Sequence, residues 1–456
     1  MRDAKAMFSA ILDMSNVFRA TDITTKYMKQ AIAEWYDLYY RGVGSDKESA
    51  KLRIPYIVVN KLSKTVFAEY SVTCDNEFAS KVIDAANNAK KEAVQQALIG
   101  GECLLKPVPT STGFYFTVIP RNNVQVFGRS HSGDMTDIGT SDLTIVNGYY
   151  YRLLERRTVD ERGYLTLRHY LFRSRNETEL GEKVPLNTLP QYENFADEYT
   201  FTKPVGSIGL IRMRTPVVNC VDGSKDGVSV YAAAVDLIHS INRNEAQIDG
   251  EFERGESRVF VSSDLIKPRN DKSEPKEIGS NLFVALDGDP EEMGITIFNP
   301  QIREQSFLAR KQEYLRDVEN IIGLKRGLLS EVEATERTAT EITSSAGEYN
   351  LTIIDLQRMW ESTLEEVLRV CSVLGELYRV PGAGAVEFKN VAIAWGNGVL
   401  YDEAKTNQEL SSQVSSGLLQ PERYLGWYYN LPCETEAERA KIRKNYMPDA
   451  SLEAGE

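Results

Sequence analysis

The sequence is poor in the side chains that usually carry chemistry. It has three histidines (His131, His169, His239) and five cysteines (Cys74, Cys103, Cys220, Cys371, Cys433), all far apart, and no CxxC pair. That spacing excludes an ordinary zinc site and predicts reduced, buried thiols of the kind found in a cytoplasmic protein. No apolar run approaches the roughly 18 residues a membrane span needs. The charged start Met1-Arg2-Asp3-Ala4-Lys5 is followed by no uninterrupted apolar segment, so no signal peptide is expected. The phosphate-cradling GxxxxGK[ST], HExxH and GxSxG patterns are missing. Gly382-Ala383-Gly384 opens a GxGxxG, but Glu387 holds its third glycine position and a helical pattern precedes it. Asp287, Asp289 and Glu291 begin like a calcium loop, yet Glu292 stands where glycine is needed and Phe298 where glutamate is needed. Glu331, Glu333 and Glu336 could pair as acid and base, but three glutamates on one loop read as a solvated face. An enzyme has no residue to rest on here, and no cofactor is expected.

What is present is length and acid. The chain has 456 residues, 42% of them hydrophobic and 26% charged. That is enough for one large core or several smaller ones. Net charge is −13, which argues against holding nucleic acid by neutralising its phosphates. It does not argue against letting nucleic acid pass without sticking.

The longest regular stretch is Thr338 to Tyr378. Ile342, Ala346, Tyr349, Ile353, Leu356, Trp360, Leu364, Val367, Cys371, Leu374 and Tyr378 recur every three or four residues, the α-helical period. Thr338 and Glu341 suit a capping box, and Arg379, Pro381 and Gly382 a stop. Such a helix spans about 60 Å. Gly347 and Gly375 weaken it by about 1 kcal/mol each, and a bend is expected at Gly347.

Helices are predicted before it at 1–45 (Met28, Ile32, Trp35, Tyr36, Tyr39), 51–72 (Ile57, Val58, Leu62, Val66, Phe67, Tyr70) and 77–98 (Phe78, Val82, Ala85, Ala86, Ala89, Ala93, Leu98). Short strands follow at 103–108, 113–119 and 124–127, then a hairpin of 149–157 and 164–173 closed by Asp160-Glu161-Arg162-Gly163. Polar loop fills 174–200, and 208–213 is a strand. Asp222 to Gly227 marks a boundary. Beyond it come a helix at 229–254 (Tyr231, Val235, Ile238, Ile241, Ile248, Phe252), β segments at 258–261, 282–286 and 295–298, and a helix at 304–322 (Leu308, Leu315, Val318, Ile322). The stretch after the long helix is predicted as a strand at 386–395 and helices at 402–416, 421–429 and 435–444. The fold class is α+β, mainly helical.

The order from 227 onward is helix, small β insertion, helix, charged loop, very long helix, strand and helical tail. It resembles the portal proteins of tailed double-stranded DNA phages of the long-tailed type. Short strings agree: Glu319-Asn320-Ile321-Ile322-Gly323-Leu324 followed by Thr338-Ala339-Thr340-Glu341-Ile342, the run Ala97 to Pro107, Arg121-Asn122-Asn123-Val124, and Gly417-Leu418-Leu419 with Pro421. The resemblance implies a ring of twelve subunits at one capsid vertex, with double-stranded DNA passing through it. It divides the chain into a wing (1–226), stem helices (227–256 and 303–322) around a clip (257–302), a tunnel loop (323–337), a long wing helix (338–380), a wing strand (381–398) and a crown (399–456). It implies that Lys325, Arg326, Glu331, Glu333, Glu336 and Arg337 face the channel. The partners it implies are the terminase large subunit, a head–tail adaptor, and major capsid and scaffold proteins, in the virion and in the host cytoplasm during assembly, with no membrane. Twelve copies at −13 carry about −156, an acidic wall that keeps DNA sliding. Lys325 and Arg326 would be the exceptions, unless they serve only to cap the preceding helix through its dipole. Other readings are a virion scaffold or adaptor protein without a channel, or an enzyme of unrecognised type.

Overall fold

The structure, a computed structural model, describes residues 14–40, 52–254, 258–262, 283–286, 295–298, 303–331, 339–384, 386, 388–395, 403–429, 431–433 and 435–447. It is α+β and divides into two units, Met1–Lys64 with Cys74–Asn390, and Thr65–Thr73 with Val391–Glu456.

The first unit begins with α1 (Ser15–Phe18), α2 (Lys26–Tyr40) and α3 (Ile54–Val66). The predicted stripe of α2 is its buried face: Met28, Ile32, Trp35, Tyr36 and Tyr39 are joined there by Leu38. α3 stops at Val66, short of the expected 72. Ser71–Cys74 forms strand β1 instead, where β-branched Val72 and Thr73 suit an extended chain. α4 (Glu77–Gly100) starts because the Asn76 side chain accepts the Ala79 amide at 2.9 Å, a cap worth about 1 kcal/mol. It ends at Gly101, which takes φ 83°.

Two antiparallel sheets follow. β2 (Glu102–Pro109) and β3 (Phe114–Pro120) lie under α4, with β10 (Ile211–Arg214) on the other edge of β2. The second sheet takes β4 (Val124–Arg129), β5 (Met135–Val146), β6 (Tyr149–Val159), β7 (Leu165–Ser174) and β8 (Glu182–Val184) in that order, and β9 (Glu198–Thr200) also pairs with β7. β5 was not expected, because Asp137, Gly139, Ser141 and Asp142 dilute its β character. It is held by a two-residue turn, Asn147-Gly148, with φ 51° and 75°, which sets Val146 opposite Tyr149.

A 3₁₀ turn, Ala232–Ala234, leads into α5 (Val235–Arg254). The helix begins later than the expected Ser229 because the chain before it is tied down elsewhere. The Ser229 hydroxyl and the Val230 amide donate to the Leu98 carbonyl at 3.0 Å each, and the Tyr231 hydroxyl donates to the Trp35 carbonyl at 2.9 Å. The three predicted β segments are strands β11 (Arg258–Ser262), β12 (Phe283–Leu286) and β13 (Ile295–Phe298). They form a mixed sheet, with β11 central, parallel to β12 and antiparallel to β13.

α6 (Glu304–Ile322) returns antiparallel to α5. Glu245 pairs with Lys311 at 3.2 Å, Glu251 with Arg303 at 2.6 Å, and the Asn244 amide donates to the Phe307 carbonyl at 3.0 Å. Ile238 and Ile241 on α5 and Leu315, Val318 and Ile322 on α6 are buried, but Phe252 and Leu308, expected in the same apolar stripes, are 47% and 38% exposed.

α7 (Ala339–Leu377) runs through Gly347 and Gly375 as one helix of 39 residues. Tyr349, Ile353, Leu356, Trp360, Leu364, Val367, Cys371 and Leu374 are buried, as their spacing predicts. Tyr378 lies past the end of the helix and is 45% exposed. α7 packs on α4 and β10, so the long helix is a core element. Thr338, half of the expected capping box, lies outside the described residues.

In the second unit β1 pairs with β14 (Val391–Ala394). The strand expected at 386–395 is reduced to this, because Phe388–Asn390 turns as a 3₁₀ helix. Phe67 and Tyr70 gather around Trp395, with ring centroids 6.2 Å and 4.8 Å from it. α8 (Glu403–Ser415), α9 (Pro421–Tyr428) and α10 (Glu436–Tyr446) complete the unit. Pro421 opens α9, and Thr435 with Glu438 forms a capping box on α10. No helix of the described residues is long and apolar enough to cross a membrane.

Candidate functional site

The predicted site begins where α6 stops. Gly323 takes φ 74° and its amide donates to the Asn320 carbonyl, while the Leu324 amide reaches back to the Glu319 carbonyl at 2.8 Å. These two bonds form a Schellman cap, which satisfies the last helical carbonyls. Gly323 also sits against α7: the Thr352 hydroxyl donates to its carbonyl at 3.2 Å, and a Cβ at this position would lie 2.6 Å from that hydroxyl. The last carbonyls of the helix are therefore met by backbone amides.

Lys325 and Arg326 start a tight turn. The Leu328 amide donates to the Lys325 carbonyl at 3.1 Å, and Gly327 in the third position takes φ 88°, as a type II turn requires. Both cationic side chains are exposed. Among the described residues neither has a hydrogen-bond or ion-pair partner. Glu331, also exposed, is held through its amide, which donates to the Gln312 Oε1 at 2.8 Å. The structure thus brings Lys325, Arg326 and Glu331 onto one short loop. Glu333, Glu336 and Arg337 lie outside the described residues, as do Asp287, Asp289 and Glu291.

One residue of this loop system was not singled out from the sequence. Glu319 is 0% exposed, on the buried side of α6 between Leu315 and Ile322. Its Oε1 accepts the Leu329 amide at 2.5 Å and the Ser330 amide at 2.9 Å. Its Oε2 accepts the Ser330 hydroxyl at 2.7 Å and the Gly327 amide at 3.3 Å. A carboxylate without water is costly unless donors surround it, and here the loop backbone supplies them. The legible signal was an acid in an apolar position in the last turn of a helix, where the dipole favours a cation.

A second charged centre lies where the chain approaches α5. Glu102 and Arg121 are each 1% exposed and Asp226 is 4% exposed. Glu102 faces Arg121 at 2.9 Å and Arg212 at 2.5 Å; Asp226 faces Arg121 at 3.2 Å and Arg129 at 2.5 Å. Burial would raise the Glu102 carboxyl, but Arg212, Arg121 and Arg129 outweigh it and hold it at about 2. Asp222, Ser224 and Asp226, with Gly227, are spaced like the first ligands of a calcium loop. The guanidinium groups of Arg121 and Arg129 neutralise Asp226 there, and Asp222 is taken up by Thr25, Asn219 and Ser224. Among the described residues no group of three or more His, Cys, Asp or Glu is placed to hold a metal.

The histidines are spread apart. His169 is buried, with Nε2 3.1 Å from Glu155 and Nδ1 donating to the Ala196 carbonyl at 2.8 Å. Burial would raise the Glu155 carboxyl, but Arg157, Lys106 and His169 hold it well below its ordinary range. His239 pairs with Glu34 on the surface, and His131 is exposed. Cys103 and Cys371 are buried, and burial pushes both thiols up. Cys220 is exposed and Cys74 and Cys433 are half-buried, against the expectation of buried thiols.

No protein-family model matches the chain. No curated protein matches it. Among solved structures, a chain from the neck of a native GTA particle, computed with C12 symmetry, is similar at 12% identity and a TM-score of 0.45, over 91% of this chain and 96% of that one. A chain from the neck of an empty GTA particle, computed with C6 symmetry, is similar at 13% identity and a TM-score of 0.44, over 88% of this chain and 94% of that one.

Proposed function

We propose that the chain is the portal subunit of a tailed, phage-like particle. Copies close into a ring, with twelve as the expected number, at one capsid vertex. Double-stranded DNA is driven in through the ring during packaging and leaves through it on ejection. The ring is the seat of the terminase motor and later of the head–tail adaptor, and it contacts the major capsid and scaffold proteins. No catalysis and no cofactor are assigned to it. It would assemble in the host cytoplasm and reside in the virion.

The observation that carries the reading is the hairpin of α5 and α6. Two antiparallel helices, tipped by the three-stranded sheet of 258–298, lead through a cation-bearing loop into the 39-residue α7. This is the order that the resemblance to portal proteins implies for stem, clip, stem, tunnel loop and wing helix. Two further features support the reading. Phe252 and Leu308 are uncovered in the single chain at the part of the hairpin nearest the β tip. A cyclic ring joins one patch to a different patch on the next copy, and apolar side chains left bare in a protomer suit that use. The net charge of −13 per chain supplies a surface that DNA crosses without lasting attachment.

Native mass spectrometry and negative-stain imaging of the purified chain test this. The expected result is a closed ring with a central hole. A stable monomer at high concentration would overturn the reading.

A further inference from the structure

Glu319 and the Lys325-Arg326 turn belong to one device. The Glu319 backbone carbonyl holds the Leu324 amide, and its side chain holds residues 327, 329 and 330. The chain is therefore fixed to one residue on both sides of Lys325 and Arg326. Between the two points of attachment the turn is closed by its own Lys325 to Leu328 bond. Leu324 and Ser330 are buried, while Lys325, Arg326 and Gly327 stand out. An exposed cation on a loose loop loses freedom when it meets an anion. On a turn whose backbone is already ordered, that loss is confined to the side chain. A buried carboxylate spent entirely on loop amides and a hydroxyl, with the cations left outward, suits presentation of positive charge better than packing alone.

We infer that Glu319 is a positioning residue: its carboxylate latches residues 327–330 to the end of α6 and so presents Lys325 and Arg326 as a preformed cationic turn for the phosphate backbone of double-stranded DNA. The latch stands on geometry alone, whereas the DNA ligand rests on the portal reading.

The test uses assembled rings of four proteins: wild type, Glu319→Leu, Glu319→Gln, and Lys325→Ala with Arg326→Ala. The first measurement is amide hydrogen exchange, which involves no DNA. In Glu319→Leu the amides of Gly327, Leu329 and Ser330 should exchange at least about tenfold faster, while those of 353–374 in α7 stay as in wild type. Glu319→Gln keeps one carbonyl oxygen for the Leu329 and Ser330 amides and should fall between. Unchanged protection in Glu319→Leu overturns the latch.

The second measurement is packaging of double-stranded DNA into heads built on each ring, and retention of it. Glu319→Leu and the double alanine variant should share one defect, with slippage that steepens as salt is raised, and Glu319→Gln should recover part of the wild-type level. Equal packaging by all four overturns this inference and leaves the portal reading standing. Wild-type rings that pass no DNA count against the portal reading itself. Failure of the double alanine variant to form rings would place the two cations in a subunit contact and also overturn the inference.

Discussion

Gly101 and Gly227 meet backbone to backbone: a Cβ on Gly101 would lie 2.3 Å from the carbonyl carbon of Gly227, and one on Gly227 would lie 2.2 Å from the carbonyl oxygen of Gly101. This contact joins the end of α4 to the segment leading into α5. Thr215 locks it, since its amide donates to the Gly101 carbonyl at 2.9 Å and its hydroxyl reaches the Val228 carbonyl at 2.7 Å.

Alanine at either glycine should therefore destabilise the chain, for different reasons. Gly101 has φ 83°, so Gly101→Ala adds about 1–2 kcal/mol of backbone strain to the steric overlap. Gly227→Ala meets only the overlap, which is with backbone and cannot be relieved by a rotamer change. Both should lower the urea midpoint, Gly101→Ala more. The double variant should cost less than the two singles together, because either one already opens the contact. Independent, additive effects would show that the two chains do not meet as described.

The adjoining charge centre predicts a pH dependence. Glu102 is held at about 2 in the folded chain against an ordinary value of 4.5. A group depressed on folding adds stability that is complete above its unfolded value and is lost as pH falls towards its folded value. Urea midpoints should therefore decline between about pH 4.5 and 2 as Glu102 becomes protonated. Arg121→Met removes a cation shared by Glu102 and Asp226 and should cost about 3–5 kcal/mol at neutral pH, because it strands buried carboxylate charge. It should also flatten the acid decline, because Glu102 then has less to lose. A decline of the same steepness in the variant would separate Arg121 from the effect.

Much of the fold was legible where one signal dominated. α6 begins and ends at the expected residues, because its apolar period is clear and Gly323 stops it. The three short strands of 258–298 were visible as β-branched and aromatic runs between polar stretches. β5 is not legible although Asn147-Gly148, a strong hairpin signal, lies at its end, because the polar residues within it mask the strand. Elsewhere tertiary contacts overrode local pattern. Ser229 to Tyr231 would continue a helix by spacing, but their hydrogen bonds go to Leu98 and Trp35. At the candidate site Lys325 and Arg326 are legible as cations on a charged loop, which the resemblance to portal proteins places at the channel. Glu319 was not, because a buried acid declares its role only when the loop folded over it is seen.

Gly375 gives the last prediction. By propensity alone, a glycine inside α7 is a weakness, and Gly375→Ala would stabilise the helix by about 1 kcal/mol. The structure reverses the sign. A Cβ there would lie 2.8 Å from the Cβ of Ala383 and 3.0 Å from the Phe78 ring. Phe78 is buried at the start of α4, and Ala383 lies just past the turn that ends α7. A Cβ, unlike the far end of a long side chain, moves only with its backbone, so one of the three segments must shift. Overpacking of this kind costs about 1–3 kcal/mol, enough to outweigh the gain in propensity. Gly375→Ala should therefore lower the urea midpoint. Adding Ala383→Gly removes the nearest atom and should restore part of the loss, which marks the two positions as coupled. A raised midpoint in the single variant would mean that α7 does not seat against Phe78 and Ala383 this closely.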